Sequence, residues 1–574
     1  MRLGMKGVIV WGYVLCFLAG NKVYGDGKVY WQENGVCICG GTRSGYVDIV
    51  SDSCGGAIVV WGDIRGDYFR VCAQRVDNNG NLLWDTNGVI VTTLDPYPGI
   101  GGIKPYITTD MKGGAIITWE GELGASEYKI GVARIDSSGV VRWETPLCNI
   151  WTPLLEDEVE YPSIVSDGEG GAIIGWIEDY RTDMYLDSMF LKLQKVDSSG
   201  VIKWQDGGIV LSESLRSNNP PMTYDGTGGV IVGWTNKDPH NEDVYVQRVD
   251  RNGTMLWDSG GLVVCDKDSA QFISSITNIG GKIFIVWNDK SKGYFIRSVH
   301  IYSQLLNLDG EICWDSNGIP ICTLDLWGGG GASVGYENGV ITTWYDTSSG
   351  YYNIYGQKID INGVVHWNEN GVYLVTLADT SRESTELEYT LSDDRRGGAI
   401  IAWKEYRGGN YWDWDIYAQR VDSSGNLQWG DSGLVVAAHP EWDGAPAITS
   451  DGKGGAIIGF NTLGQHAYVQ RVGDDTMAVE ESKKLRVKSR ELRVYPNPFV
   501  ESCRLSIVHS QQLRSNRVQV YDLGGRLVEE LPITNSQLQI TIGKKLVPCI
   551  YFVKVKGCKP IKIIKLGGVK WLTF

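Results

Sequence analysis

Apolar and polar positions recur along this chain with a long, regular period. Eight times a glycine-rich turn leads into a short apolar run that ends on an aromatic residue. The runs end at Trp61, Trp119, Trp176, Trp234, Trp287, Trp344, Trp403 and Phe460, spaced 58, 57, 58, 53, 57, 59 and 57 residues apart. GGAIVVW, GGAIITW and GGVIVGW show the pattern. A fixed period of this size marks stacked supersecondary units, none of which can bury its apolar face alone. A second landmark lies inside each unit, as in QRVDNNGNLLW to Trp84, ARIDSSGVVRW to Trp143 and QRVDSSGNLQW to Trp429. Asp-x-x-Gly between alternating apolar residues is a hairpin signal, because Asp bonds nearby backbone and Gly accepts a positive φ. Each unit therefore predicts a strand, an Asp-Gly turn, an apolar strand, a variable loop, a strand, an Asp-x-x-Gly turn and a fourth strand. Four antiparallel strands per period are the pattern of a β-propeller blade.

The ends of the repeat region predict a closed ring. The eighth unit stops at HAYVQRVGDD, after its third strand, and GKVYWQENGVCI at 27–38 repeats the missing fourth, with Trp31 in the place of Trp84. An N-terminal strand completing the last blade leaves no open sheet edge. The predicted fold class is thus all-β, an eight-bladed β-propeller closed by an N-terminal strand. The chain divides into a signal peptide at 1–25, the propeller at 26–475, a linker at 476–490 and a C-terminal domain at 491–574. Arg2 and Lys6 precede an apolar stretch from Gly7 to Ala19, which is too short to span a bilayer and ends near small residues. No other stretch predicts a transmembrane span, so the mature chain is expected to have none.

Composition supports an exported, turn-rich protein, with Gly at 74 of 574 residues. The net charge is −15. From Glu480 onward 18 basic residues face 7 acidic ones, so the ring is more acidic than the whole chain. An acidic ring argues against nucleic acid as a partner. Export permits disulfides. Cys37-x-Cys39 with Cys54, or Cys549 with Cys558, are candidates, while Cys72, Cys148, Cys265 and Cys313 replace apolar repeat residues and read as buried free thiols. Nothing has zinc spacing, and the Asp-x-x-Gly turns lack the carboxylate that would close a calcium loop, so neither metal nor cofactor is expected.

The last segment has a pattern of its own. Alternating strands around VQVYDLGGRLVEEL predict a small immunoglobulin-like β-sandwich. Three motifs stand in order: Tyr495-Pro496-Asn497-Pro498, then Tyr521-Asp522-Leu523-Gly524-Gly525-Arg526, then Ile550-Tyr551-Phe552. This segment resembles the type A C-terminal sorting domain of the type IX secretion system. It departs from that pattern at Pro548-Cys549, where such domains carry Gly, and in its GGVKWLTF extension. The resemblance implies passage through the periplasm to the cell surface or the medium, with the secretion machinery as a partner.

The repeated tryptophans read as structural, since one stands at each equivalent position. Trp412 and Trp414, with Tyr406 and Tyr411, fall outside the repeat and are the candidate ligand-binding residues. No catalytic residue is assigned: the six histidines occupy unrelated repeat positions, and no Gly-x-Ser-x-Gly occurs. The expected function is non-catalytic binding or adhesion to a glycan or surface protein. The alternative is a carbohydrate-active enzyme using carboxylates in the loops at 62–69, 177–185 and 404–415.

Overall fold

A computed structural model describes residues 27–39, 43–65, 68–94, 103–122, 127–151, 158–181, 187–215, 220–236, 242–290, 298–376, 388–406, 414–440, 443–444, 446–462 and 466–474. Beyond these it describes 491–495, 503–508, 517–521, 527–532, 539–542, 549–555 and 561–565. The expected signal peptide and linker lie outside the described residues, as does all but the ends of each long loop. The chain divides into two compact units, Met1–Asp475 and Thr476–Phe574. All regular structure among the described residues is β, and none of it is a helix long and apolar enough to cross a membrane.

The first unit is an eight-bladed propeller. Seven blades are successive antiparallel sheets at 43–94, 105–151, 158–212, 222–265, 270–326, 328–376 and 389–437. The eighth is completed by the N-terminus: Gly27–Val29 and Val36–Cys37 both pair with Ala467–Asp474, the third strand of that blade. The expected closure is therefore observed. The first strands of adjacent blades are neighbours around the centre. The turns that join first to second and third to fourth strands lie at one end of a blade, and the variable loops between second and third strands lie at the other.

The interior is filled by the repeat aromatics. Trp61, Trp119, Trp176, Trp234, Trp287, Trp344, Trp403 and Phe460 are all buried in second strands. In blades 4 to 8 a tyrosine of the third strand stacks on the ring, as Tyr245 does on Trp234 at 5.9 Å between centroids. Aliphatic residues from facing blades surround them. Ile58, Val60 and Ala73 of blade 1, for example, pack on Ile107, Ile117 and Ala133 of blade 2.

At the turn end the repeat Asp forms a latch. Asp52 accepts hydrogen bonds at one oxygen from the Cys54 and Gly56 amides (2.7 and 2.9 Å) and ion-pairs through the other with Arg75 (2.9 Å). Gly56 is required here, because a Cβ would lie 2.1 Å from the Val76 carbonyl oxygen. The latch recurs as Asp110 with Arg134, Asp225 with Arg248, Asp394 with Arg420 and Asp451 with Arg471, and as Asp167 with Lys195. It also links blades: Arg75 donates to the Ser137 carbonyl of blade 2 and Arg134 to the Ser198 carbonyl of blade 3.

The second tryptophan series joins each blade to the next. Trp84 donates its indole N–H to the Ser137 carbonyl, Trp143 to Ser198, Trp204 to Arg251 and Trp31 to Asn78. Trp257, Trp314 and Trp367 do the same with Leu308, Ile361 and Ser423. Each ring lies against the turn glycine of the neighbouring blade, as Trp31 does against Gly80, whose φ is +84°. The eighth junction differs. Blade 8 has no Asp-x-x-Gly turn, and Trp429 donates instead to the Asp474 carboxylate at 2.7 Å. The same carboxylate holds Arg420 and, at 3.2 Å, Arg396.

The fourth strand departs from expectation. The sequence pattern predicts it directly after the Asp-x-x-Gly turn, but after a single bridge (Val76 with Leu82) the chain makes a second turn, and pairing resumes at Val89–Leu94. A buried glutamine spans the gap. Gln74 accepts from the Trp84 amide and donates to the Asp85 carbonyl. Gln194, Gln247, Gln357, Gln419 and Gln470 make the same pair of bonds in their blades. Blade 2 carries Ala133 at this position, and there the fourth strand runs without a gap from Val141 to Trp151.

The cysteine expectations divide. Cys37, Cys39, Cys54, Cys72, Cys265, Cys313 and Cys322 are all free. Cys72 and Cys265 are buried as expected, but Cys313 is exposed, because it precedes the junction tryptophan on the outward side of the hairpin. Cys148, Cys549 and Cys558 have no described side chain.

The second unit has a three-stranded sheet (Glu491–Tyr495, Cys503–Val508, Gln539–Ile542) and a four-stranded sheet (Leu527–Pro532, Arg517–Tyr521, Cys549–Val555, Ile561–Lys565). Val518, Val520 and Val553 are buried in the latter.

Candidate functional site

Antiparallel pairing fixes which residues share the loop end of the ring. The start of each first strand lies beside the end of the second, and that beside the start of the third. The proposed ligand residues fall here in blade 7. Tyr406 ends Ala399–Tyr406 and pairs with Trp414, the first residue of Trp414–Val421. Trp412, Tyr411 and the Tyr406 side chain lie outside the described residues. Trp414 is half-buried, with the Lys404 ammonium 5.7 Å from its ring centroid. Lys404 also ion-pairs with Glu388, just before the inner strand Tyr389–Asp393. The Trp414 carbonyl accepts from the Asp443 amide of blade 8 at 2.8 Å.

A second cluster at the same end was missed in the sequence. Lys104 of blade 2 lies 5.4 Å from the Tyr46 ring of blade 1 and 5.5 Å from the Tyr106 ring. Tyr46 is 48% exposed, an unusual state for a large aromatic on an inner strand. Behind them Asp48 accepts from the Ile107 amide at 3.0 Å and so ties blade 1 to blade 2. Asp48 is enclosed by protein although part of its surface remains open, and burial pushes its carboxyl up to about 6 against the pull of the Ile49 and Ile107 amides and of Lys104. The signal was available: Tyr46 and Lys104 both stand six residues before their repeat aspartates, Asp52 and Asp110.

Three of the loop carboxylates considered for catalysis turn inward, while Asp67, Asp183 and Asp413 lie outside the described residues. Asp63, Glu178 and Glu405 each stand two residues after a core tryptophan and are buried. Glu178 accepts from the Trp176 indole at 3.0 Å and pairs with Lys192 at 2.6 Å, and Glu405 accepts from the Trp403 indole at 2.9 Å. Among the described residues no three His, Cys, Asp or Glu side chains are placed to hold a metal ion. In the calcium-like turn at Asp77 the carboxylate is used by the Asn79 and Asn81 amides at 2.8 and 2.9 Å, which is hairpin formation.

In the second unit, Tyr495 ends the first strand, Tyr551 lies within Cys549–Val555, and Tyr521 donates its hydroxyl to Gln519 at 3.0 Å. Pro496, Asn497, Pro498, Asp522, Gly524, Gly525 and Arg526 lie outside the described residues. Residues 493–566 match the secretion system C-terminal sorting domain. That sorting domain directs the chain to the type IX secretion machinery, and so to the cell surface or the medium.

Among curated proteins, none matches the chain. Solved structures resemble it weakly. An ulvan lyase of a polysaccharide lyase family is 12% identical, with a TM-score of 0.39 over 69% of this chain and 94% of its own. An α-L-arabinofuranosidase from Fusarium graminearum is 10% identical, with a TM-score of 0.30 over 55% and 93%. A protein of unknown function from Dyadobacter fermentans is 11% identical, with a TM-score of 0.30 over 56% and 94%. The eight-fold ring therefore rests on the strand pairing itself.

Proposed function

We propose that the propeller is a non-catalytic binding module that meets a glycan or a surface protein on its loop end after export. The observation that carries this reading is the cluster of Tyr46, Lys104 and Tyr106. Two aromatic rings flanking a cation offer flat apolar faces and a hydrogen-bond donor, a combination suited to sugar rings or to an aromatic-rich protein surface. Trp414 beside Lys404 repeats the combination in blade 7. The inward ties of Glu178 and Glu405 favour binding over hydrolysis, because a glycosidase needs two carboxyl groups facing the substrate.

The test is a glycan-array and cell-surface binding screen of the secreted chain, read for retention and for released product. Retention without product is expected. For a retained ligand, Tyr46→Ala and Lys104→Ala should each weaken binding by about tenfold or more, the scale of an interface anchor. Product release would overturn the reading in favour of a carbohydrate-active enzyme.

A further inference from the structure

The closing strand carries a pair of thiols that the binding reading does not use. Cys37 pairs with Tyr468 in the ladder that completes blade 8. Its sulfur donates to the Cys39 carbonyl at 2.8 Å, which holds the Cys37 thiol beside residue 39. Cys39 is buried and its sulfur accepts from the Ala467 amide at 3.1 Å, whereas Cys37 is half-buried at the outer edge of the blade. Residues two apart on an extended strand are separated by no more than about 7 Å, close to the Cα–Cα span of a disulfide.

The repeat provides an internal control. Cys39 stands eight residues after its junction tryptophan, Trp31, and Cys265 and Cys322 stand eight after Trp257 and Trp314. All three are buried. Two residues earlier, those blades carry Val263 and Pro320, and only the closing strand carries a second thiol, Cys37. A lone cysteine at this position is thus an ordinary core residue, and the half-buried second thiol, Cys37, is what sets the closing strand apart.

We propose that Cys37 and Cys39 form a redox-active dithiol that exchanges with disulfides outside the cell or in the periplasm. The Cys37 thiolate attacks one sulfur of the incoming disulfide, whose S–S bond breaks and releases one thiolate. Cys39 then gives up its proton and attacks the Cys37 sulfur, releasing the second thiolate. The external disulfide is reduced to two thiols and the pair is oxidised to a Cys37–Cys39 bond, two electrons passing from one to the other. The groups around Cys37 suit the attacking role. Hydrogen bonding from Cys39, with help from His466 and Tyr468, outweighs burial and brings the thiol down to about 6. Cys39 is held up by its bond to Cys37 and by burial, with Asp63 nearby, as befits the resolving thiol. In the control blade, burial pushes Cys265 up to about 11.

The test equilibrates the full secreted chain in glutathione buffers of graded redox ratio, alkylates the remaining thiols, and maps them by peptide mass. A Cys54→Ser, Cys313→Ser background removes the other exposed thiols among the described residues. The expected result is that the peptide holding Cys37 and Cys39 passes from doubly alkylated to internally bridged as the buffer becomes oxidising, while Cys265 and Cys322 stay unbridged. Cys39→Ser should instead accumulate glutathione on Cys37, and Cys37→Ser should accumulate none on Cys39. The last two variants need not be fully stable, because the unsubstituted pair carries the primary readout. The proposal fails if both thiols remain alkylatable across the whole range, or if Cys37 bridges to a cysteine other than Cys39.

Discussion

Seven of the eight blade junctions and the eighth solve one problem in two ways. At the seven, a tryptophan indole from one blade donates to a backbone carbonyl in the Asp-x-x-Gly turn of the next, as Trp84 does to Ser137. At the eighth the chain has to leave the ring and no such turn exists. A carboxylate, Asp474, takes over, gathering the Trp429 indole, Arg420 and Arg396, while Tyr30 of the closing strand donates to the Asp474 carbonyl. The repeated junctions depend on main-chain geometry, which many sequences can supply. The closing junction depends on one side chain buried among charged partners, where removing a partner is far more costly than at a surface.

This contrast can be broken by substitution. Asp474→Ala leaves the buried Trp429 indole without its acceptor and Arg420 with Asp394 alone, and should cost about 3 kcal/mol, read as a lowered urea midpoint. Ser137→Ala at an ordinary junction removes no acceptor and should stay within about 0.5 kcal/mol. Equal losses would show that the closing junction is no different from the rest. Next in size is the glutamine brace. Gln247→Ala removes the acceptor of the half-buried Trp257 amide and the donor to the Asp258 carbonyl, which water can reach, and should cost about 1–2 kcal/mol in all. Ala133→Gln should bring no gain, because blade 2 has no gap to span. A stabilising Ala133→Gln, again by urea titration, would sink that account.

The smallest effect concerns Asp48, which ties blades 1 and 2 without a cation in direct contact. Burial raises its carboxyl from 3.8 to about 6 in the folded chain. As pH rises the unfolded chain therefore loses this proton first, and the carboxylate opposes folding increasingly between about pH 4 and pH 6. Asp48→Asn should raise the melting temperature at about pH 7 and leave it unchanged below about pH 4. A lowered melting temperature at neutral pH would show that the carboxylate itself is needed for the tie.

The period of the core aromatics made the blades legible, because burial demands an apolar residue at the same strand position every time. The closing strand was legible for a related reason: Trp31 repeats the junction pattern at the far end of the chain. The glutamine brace was not read. Gln in QRVD and QKVD looks like any polar neighbour of a turn, and its meaning appears only where Ala133 coincides with an unbroken strand. The Tyr46, Lys104 and Tyr106 cluster was missed because inner strands vary more than second strands. Trp414 stands out in the sequence because it falls outside the repeat, and it starts the third strand of blade 7 opposite Tyr406, while Trp412 and Tyr411 fall outside the described residues.

The closing strand also bears on time. Tyr30 and Asp474 are 444 positions apart, so the first part of the ring to be made must wait for the last before blade 8 exists. Contacts this distant in sequence form slowly, since the chain between them must be ordered first. Until then the third strand at Ala467–Asp474 has an unpaired edge, open to any extended peptide that reaches it. A chain bound for export thus has a built-in delay between synthesis and completion, during which it remains closer to a string of sheets than to a ring.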